Sequence, residues 1–118
     1  MLKIGTRRSV LALWQANYVQ QLLKNSGYAS EIIEIESFGD KILDIPIHKL
    51  GDKGVFTKAL DIALLNEDID LAVHSLKDVP TEFEENLTLA SVPTRENPFD
   101  VLVRPLKRQN SKKNIIAT

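Results

Sequence analysis

An α/β fold, with a mixed sheet flanked by helices, is what this sequence predicts, on three observations. Apolar residues recur by turns with the period of strands and the period of helices, in the order β-α-β-loop-α-β-β-β. The run Asp70-Leu-Ala-Val-His-Ser-Leu-Lys-Asp-Val-Pro80 sets polar and ionisable side chains directly after an apolar strand core, and the carboxyl ends of strands are where open sheets carry their ligand sites. The 118 residues, 43% apolar and 26% charged, are enough for one domain with a real core.

Residues 2–5 read as a short strand. Ser9 then offers an N-cap hydroxyl to a helix that runs to about Asn25. Its expected buried stripe is Leu11, Trp14, Tyr18 and Leu22, with Val10, Ala12, Val19 and Leu23 beside them, while Asn17, Gln20, Gln21 and Lys24 lie largely opposite. Gly27 is placed to end the helix, because glycine tolerates the left-handed conformation found there. Residues 31–37 mix Ile32, Ile33 and Ile35 with glutamates, as a strand with one wet face would.

Gly39-Asp40 signals a turn, and residues 40–54 form the longest irregular stretch, with Pro46, Gly51 and Gly54 among charged side chains. A second helix is expected over 56–66, with Phe56, Ala59, Leu60, Ala63 and Leu64 as its buried face. A strand at 71–73 leads into the polar run. Further strands are expected at 87–92 and 100–103, separated by a polar turn over 93–98. Residues 104–113 are mostly polar, and an apolar strand begins at Asn114 and stops with the chain at Thr118. That stop predicts a piece of a longer protein, cut where the backbone enters a second domain.

Composition narrows the chemistry. No window approaches the ~20 consecutive apolar residues of a spanning helix, and Met1 leads straight into a strand-like segment, which points to the cytoplasm and away from the membrane. With no cysteine the chain forms no disulfide, thiolate metal site or thiol nucleophile, and two isolated histidines make a poor zinc set. A net charge of −1 gives no electrostatic footprint for nucleic acid.

Three polar clusters remain. Thr6-Arg7-Arg8-Ser9 lies where a strand meets a helix N-terminus, a place that favours anions, with arginine able to grip a carboxylate through two hydrogen bonds. The alternative there is an N-cap beside solvated arginines. Lys49 and Lys53 lie in the glycine-containing loop, where solvation is their ordinary state. The third cluster is His74, Ser75, Lys77 and Asp78, whose alternative is a capping serine beside solvated charges. On an extended segment neighbours point in opposite directions, so Lys77 and Asp78 would meet different parts of a ligand. The same argument sets His74 and Ser75 apart, and with no Gly-x-Ser-x-Gly elbow present a hydrolase triad is disfavoured. Together the clusters suit a small polyanion bearing N–H groups, with Arg and Lys at its carboxylates and Asp at its nitrogens.

Ile4-Gly-Thr-Arg-Arg-Ser-Val-Leu-Ala-Leu-Trp-Gln-Ala16, Gly54-Val-Phe-Thr-Lys-Ala-Leu60 and Ala72-Val-His-Ser-Leu-Lys-Asp-Val-Pro80, in that order, closely resemble the amino-terminal domain of the hydroxymethylbilane synthases, also called porphobilinogen deaminases. The resemblance continues through Arg95-Glu96-Asn97-Pro98-Phe99-Asp100 and covers nearly the whole chain. It implies a lobe like those of type II periplasmic binding proteins, in a monomeric cytoplasmic enzyme that condenses four porphobilinogen units with loss of ammonia, on a covalently attached dipyrromethane cofactor. By position, Asp78 resembles the catalytic aspartate that contacts pyrrole nitrogens. Arg7, Ser9 and Lys77 resemble residues that hold carboxylates, and Lys49 and Lys53 resemble lysines of a loop over the cleft. Ser75 is implied to touch the cofactor, with Gln15 and Phe56 near the substrate.

Departures from the pattern are equally informative. The resemblance divides the chain into residues 1–104, the first domain, and residues 105–118, a linker and the start of a second. The arginine-rich segment of that second domain and the cofactor's attachment cysteine are absent from this chain. The expectation is therefore half an active site, with little turnover of its own and an exposed sheet edge that can self-associate. Two rival readings are a non-catalytic lobe that binds a small anion, and a structural domain that uses the exposed edge.

Overall fold

The computed structural model describes residues 1–37 and 56–99. Among these residues three strands and two helices are laid out as β1 (Leu2–Thr6), α1 (Val10–Asn25), β2 (Ser30–Glu34), α2 (Lys58–Leu65) and β3 (Leu71–Ala72), and a 3₁₀ turn, Leu76–Asp78, follows β3. The strands form one sheet in the order β2-β1-β3. Both pairings are parallel, with Ile4 opposite Ile32 on one side and Leu71 on the other. The α/β class therefore holds, and among the described residues the sheet is parallel; the expected strands at 100–103 and 114–118 lie outside them.

As the central strand, β1 is covered on both faces. Gly5 faces α2, where a side chain at that position would run into Ile69 and Leu60. Leu60, Ala63 and Ile69 form a core cluster there, and Ile33, Ile35, Leu64 and Ala72 pack against it. Ile4 and Thr6 lie on the opposite face by the two-residue period of the strand. Thr6 is 0% exposed, and its hydroxyl donates to the Ala12 carbonyl at 3.1 Å, which ties β1 to the first turn of α1. At the other end of the strand, Lys3 N–H donates to the Asp70 carboxylate at 2.7 Å and Asp70 N–H to the Lys3 carbonyl at 3.0 Å, fixing the register of β3.

The ends of α1 are built as the residues suggest. The Ser9 side chain accepts from Ala12 N–H at 3.3 Å. At the far end Gly27 takes φ +86°; its N–H donates to the Lys24 carbonyl and that of Tyr28 to the Leu23 carbonyl, a Schellman closure. The buried face of α1 is only in part the expected one: of the residues expected along it Ala12 is buried and Val19 and Leu23 are half-buried. Ala12 and Ala16 are its buried residues, while Val10 (88% exposed), Leu11, Trp14 (56%), Tyr18 and Leu22 face outward. Residues two apart lie about 200° apart around a helix, so Ala12 and Trp14 sit on opposite sides. Small alanines let the helix axis approach the sheet closely; the large side chains, with the Trp14 and Tyr18 rings stacked at 6.0 Å, are left outside. Apolar on both sides, α1 gives amphipathic reasoning no unique direction.

Further differences have similar causes. All of β2 up to Ile33 is half-buried, so it has no clean wet face. Residues 87–92 have strand composition, but they form no strand and most are exposed; a strand exists only where a ladder partner is supplied. The expected loop at 40–54, the strands at 100–103 and 114–118, and the proposed boundary at residue 104 lie outside the described residues. Among the described residues no helix is long and apolar enough to cross a membrane.

Candidate active site

Three chain junctions meet at the carboxyl end of the sheet: the turn from β1 into α1, the entry to α2, and the segment that leaves β3. They line one cavity of about 130 Å³. Arg7 and Ser9 come from the first junction, Gln15 from the second turn of α1, Phe56 from the entry to α2, and Ser75, Lys77 and Asp78 from the exit of β3. These seven expected site residues share one wall, whereas Lys49 and Lys53 lie outside the described residues.

At the first junction the adjacent arginines part company. Arg7 turns into the cavity, its guanidinium carbon 4.3 Å from the centroid of the Phe56 ring. Arg8 turns toward the end of β2 and lies 3.9 Å from both Glu34 and Glu36. The solvated-arginine alternative thus describes Arg8 and not Arg7. The first turn of α1 carries no acidic residue, so nothing on that turn offsets its dipole and free N–H groups as an anion site. The Ser9 hydroxyl accepts the cap bond and keeps a proton to donate.

Beyond β3 the backbone does not stay extended. Leu76–Asp78 is a 3₁₀ turn flanked by extended Ser75 and Val79, and Val79 precedes Pro80, which disfavours further helix. Alternation therefore fails here: Lys77 and Asp78 both line the cavity, and so do His74 and Ser75. Ser75 occupies the N-cap position without making a side-chain cap bond. Its hydroxyl donates instead to Gln15 Oε1 at 3.2 Å, joining the exit of β3 to α1. Sequence reasoning set His74 aside as an unsuited hydrolase partner; the structure returns it to the site wall. Burial holds its imidazole below the ordinary value of 6.5, with Arg7 pushing the same way, against the opposing pull of the Asp61 and Asp78 carboxylates.

The arrangement presents a guanidinium, an ammonium, hydroxyls and a helix N-terminus around one carboxylate, Asp78. The cations can hold acid groups, while the carboxylate can accept N–H or stabilise positive charge. Among the described residues no group of three or more His, Asp or Glu side chains is placed to hold a metal ion.

Residues 2–118 match the family model described as porphobilinogen deaminase, dipyromethane cofactor binding domain. The chain belongs to the porphobilinogen deaminase family. The porphobilinogen deaminase of Geobacter metallireducens is 51% identical over 104 residues, which is 86% of this chain and 33% of that protein. That of Helicobacter hepaticus is 56% identical over 100 residues, 84% of this chain and 31% of its own. A probable porphobilinogen deaminase of Methanocaldococcus jannaschii is 53% identical over 103 residues, 87% of this chain and 35% of its own. The chain spans about a third of the length of these relatives of the porphobilinogen deaminase family.

The donor set fits a dipyrromethane: Asp78 suits a pyrrole N–H, and Arg7, Ser9 and Lys77 suit the acid side chains. With no cysteine, the chain has no thiol of its own to carry the group. A volume of about 130 Å³ is well below the roughly 300 Å³ at which small-molecule pockets begin.

Proposed function

We propose that this chain is the amino-terminal catalytic lobe of an enzyme that joins four porphobilinogen units head to tail, releasing ammonia at each addition, to give hydroxymethylbilane for tetrapyrrole synthesis. The lobe is of the type II periplasmic-binding-protein kind, spans residues 1–104, continues through 105–118 into a second domain, and works in a monomeric cytoplasmic protein. The single observation that carries this reading is Asp78 set in one cavity wall with Arg7 and Lys77. Porphobilinogen bears an acetate, a propionate and a pyrrole N–H, and each has a complementary group there.

Loss of ammonia from the aminomethyl group leaves the substrate cationic, with charge shared by the ring nitrogen. The Asp78 carboxylate, accepting that N–H, stabilises the charge, and the next carbon–carbon bond then forms as a ring proton departs. Arg7, Ser9 and Lys77 hold carboxylates so that the reacting carbons meet in a fixed orientation. Ser75, braced by Gln15, faces the dipyrromethane, which when bound supplies the primer for chain growth. By the resemblance, Lys49 and Lys53 supply further positive charge for the substrate carboxylates.

A non-catalytic anion-binding lobe is the second reading, favoured by the uncompensated N-terminus of α1. It leaves Asp78 unexplained, since a carboxylate in the wall repels an anion. The test is a full-length chimera in which residues 1–118 replace the matched third of the Geobacter metallireducens relative. We expect turnover of porphobilinogen by the chimera, and a fall in kcat of about a hundredfold or more on Asp78→Asn. Full activity in the variant overturns the role of Asp78, and sustained turnover by the isolated chain overturns the one-wall reading.

A further inference from the structure

We infer that His74 is the catalytic base of the condensation: its imidazole takes the proton that leaves the attacking ring as each carbon–carbon bond closes. The inference deepens the functional reading above and rests on it for the reaction.

Closing that bond releases a proton that a nearby group must accept. The α-carbon of the attacking ring bonds to the exocyclic methylene of the cation; its C–H bond then breaks, and the electron pair restores the aromatic ring. Asp78 is poorly suited to take the proton, because a protonated carboxyl no longer offers the negative charge that stabilises the cation. Arg7 and Lys77 are cations without an acceptor, and the hydroxyls of Ser9 and Ser75 and the Gln15 amide are feebly basic. Among the described residues that line the cavity, His74 is the remaining base.

Geometry puts the imidazole near the event. His74 lines the cavity at the exit of β3, and Asp78 N–H donates to the Ser75 carbonyl at 2.9 Å, a turn that folds Asp78 back toward it. With Asp78 on the ring N–H, the methylene under attack hangs from the carbon next to that nitrogen. The proton therefore leaves close to both residues. Among the described residues the His74 ring nitrogens make no hydrogen bond, and they are not among the buried side-chain atoms left without a partner, so they open onto accessible space. Three charged groups face the imidazole: Asp61 of α2, Asp78 of the 3₁₀ turn and Arg7 of the β1–α1 junction. The carboxylates favour its cation, but burial prevails, with Arg7 on its side, and leaves it unprotonated at neutral pH. Once loaded, it passes the proton to the released ammonia, which departs as ammonium.

The test uses the full-length chimera described above, with His74→Gln and His74→Ala, supplied with porphobilinogen that carries hydrogen or deuterium on its free α-carbon. In both variants kcat should fall about a hundredfold or more, the range for a lost base, with KM little changed. In the unsubstituted chimera kcat should decline as the pH drops below about 6.5, where His74 takes up a proton, and this decline should vanish in His74→Gln. Deuterium should slow the variants more than the unsubstituted chimera, because proton removal becomes the slow step. Free imidazole should restore part of the turnover of His74→Ala. Undiminished kcat in His74→Gln overturns the inference. So does a loss of turnover that leaves the pH dependence and the isotope effect unchanged and is not rescued by imidazole, which would make His74 a structural support. If the unsubstituted chimera is itself inactive, the functional reading fails and this inference falls with it.

Discussion

The Ser75 hydroxyl donates to Gln15 Oε1 at 3.2 Å, joining residues 60 positions apart across the mouth of the candidate site. It ties the segment leaving β3 to the second turn of α1, and so places the turn carrying Lys77 and Asp78 relative to Arg7. Ser75→Ala and Gln15→Ala should each lower stability by about 1 kcal/mol, the usual worth of one such bond. The double variant should cost little more than the larger single one, because both changes remove the same bond. Urea unfolding of the four proteins measures this, and full additivity would show that the two residues do not act on each other.

His74 makes stability depend on pH in a definite direction. Its folded-state value is lowered from 6.5, chiefly by burial, so the unfolded chain binds the proton more readily. The stabilising contribution is complete above the unfolded value and is lost as pH falls through the depressed folded one. Urea midpoints should therefore drop on acidification below about pH 6.5. The drop should be smaller in His74→Gln, and parallel curves for the two proteins would remove His74 as its source.

Gly5 is required for space. A Cβ there meets the terminal methyl groups of Ile69 and Leu60, and both residues are buried in the core cluster. Gly5→Ala should destabilise by roughly 1–3 kcal/mol, the usual cost of overpacking a filled core. Shortening the obstacle in Gly5→Ala/Ile69→Val should recover part of the loss. A thermal melt of Gly5→Ala that matches the wild type would show that the core gives way freely.

Trp14 reports on the outer face of α1. It is the one tryptophan of the chain, 56% exposed and stacked on Tyr18. Its fluorescence should have the red-shifted emission of a wetted indole and be readily quenched by acrylamide. Blue-shifted, poorly quenched emission would mean that the apolar stripe of α1 is covered in solution.

Much of this architecture was legible in the chain because it is local. The Ser9 cap, the Gly27 closure, the strand at β1 and the polar junction after β3 each depend on residues within a turn or two of one another. The family resemblance extended the expected site to Gln15 and Phe56, and favoured a site role for Arg7 and Asp78, whose charges alone read about as well as solvated surface.

Three things needed tertiary structure. Arg7 and Arg8 are the same residue side by side, and what sends one into the cavity and the other to the surface is the placement of Phe56 and of Glu34 and Glu36, distant in sequence. Which side of α1 meets the sheet was undecidable from a helix apolar on both sides, and close approach through Ala12 and Ala16 settled it. Residues 87–92 have the composition of a strand and form none. Local pattern suffices for a helix and its caps, whose hydrogen bonds lie within the segment. A strand, a covered face and a site wall are properties of pairs of segments, and only the fold supplies the second member.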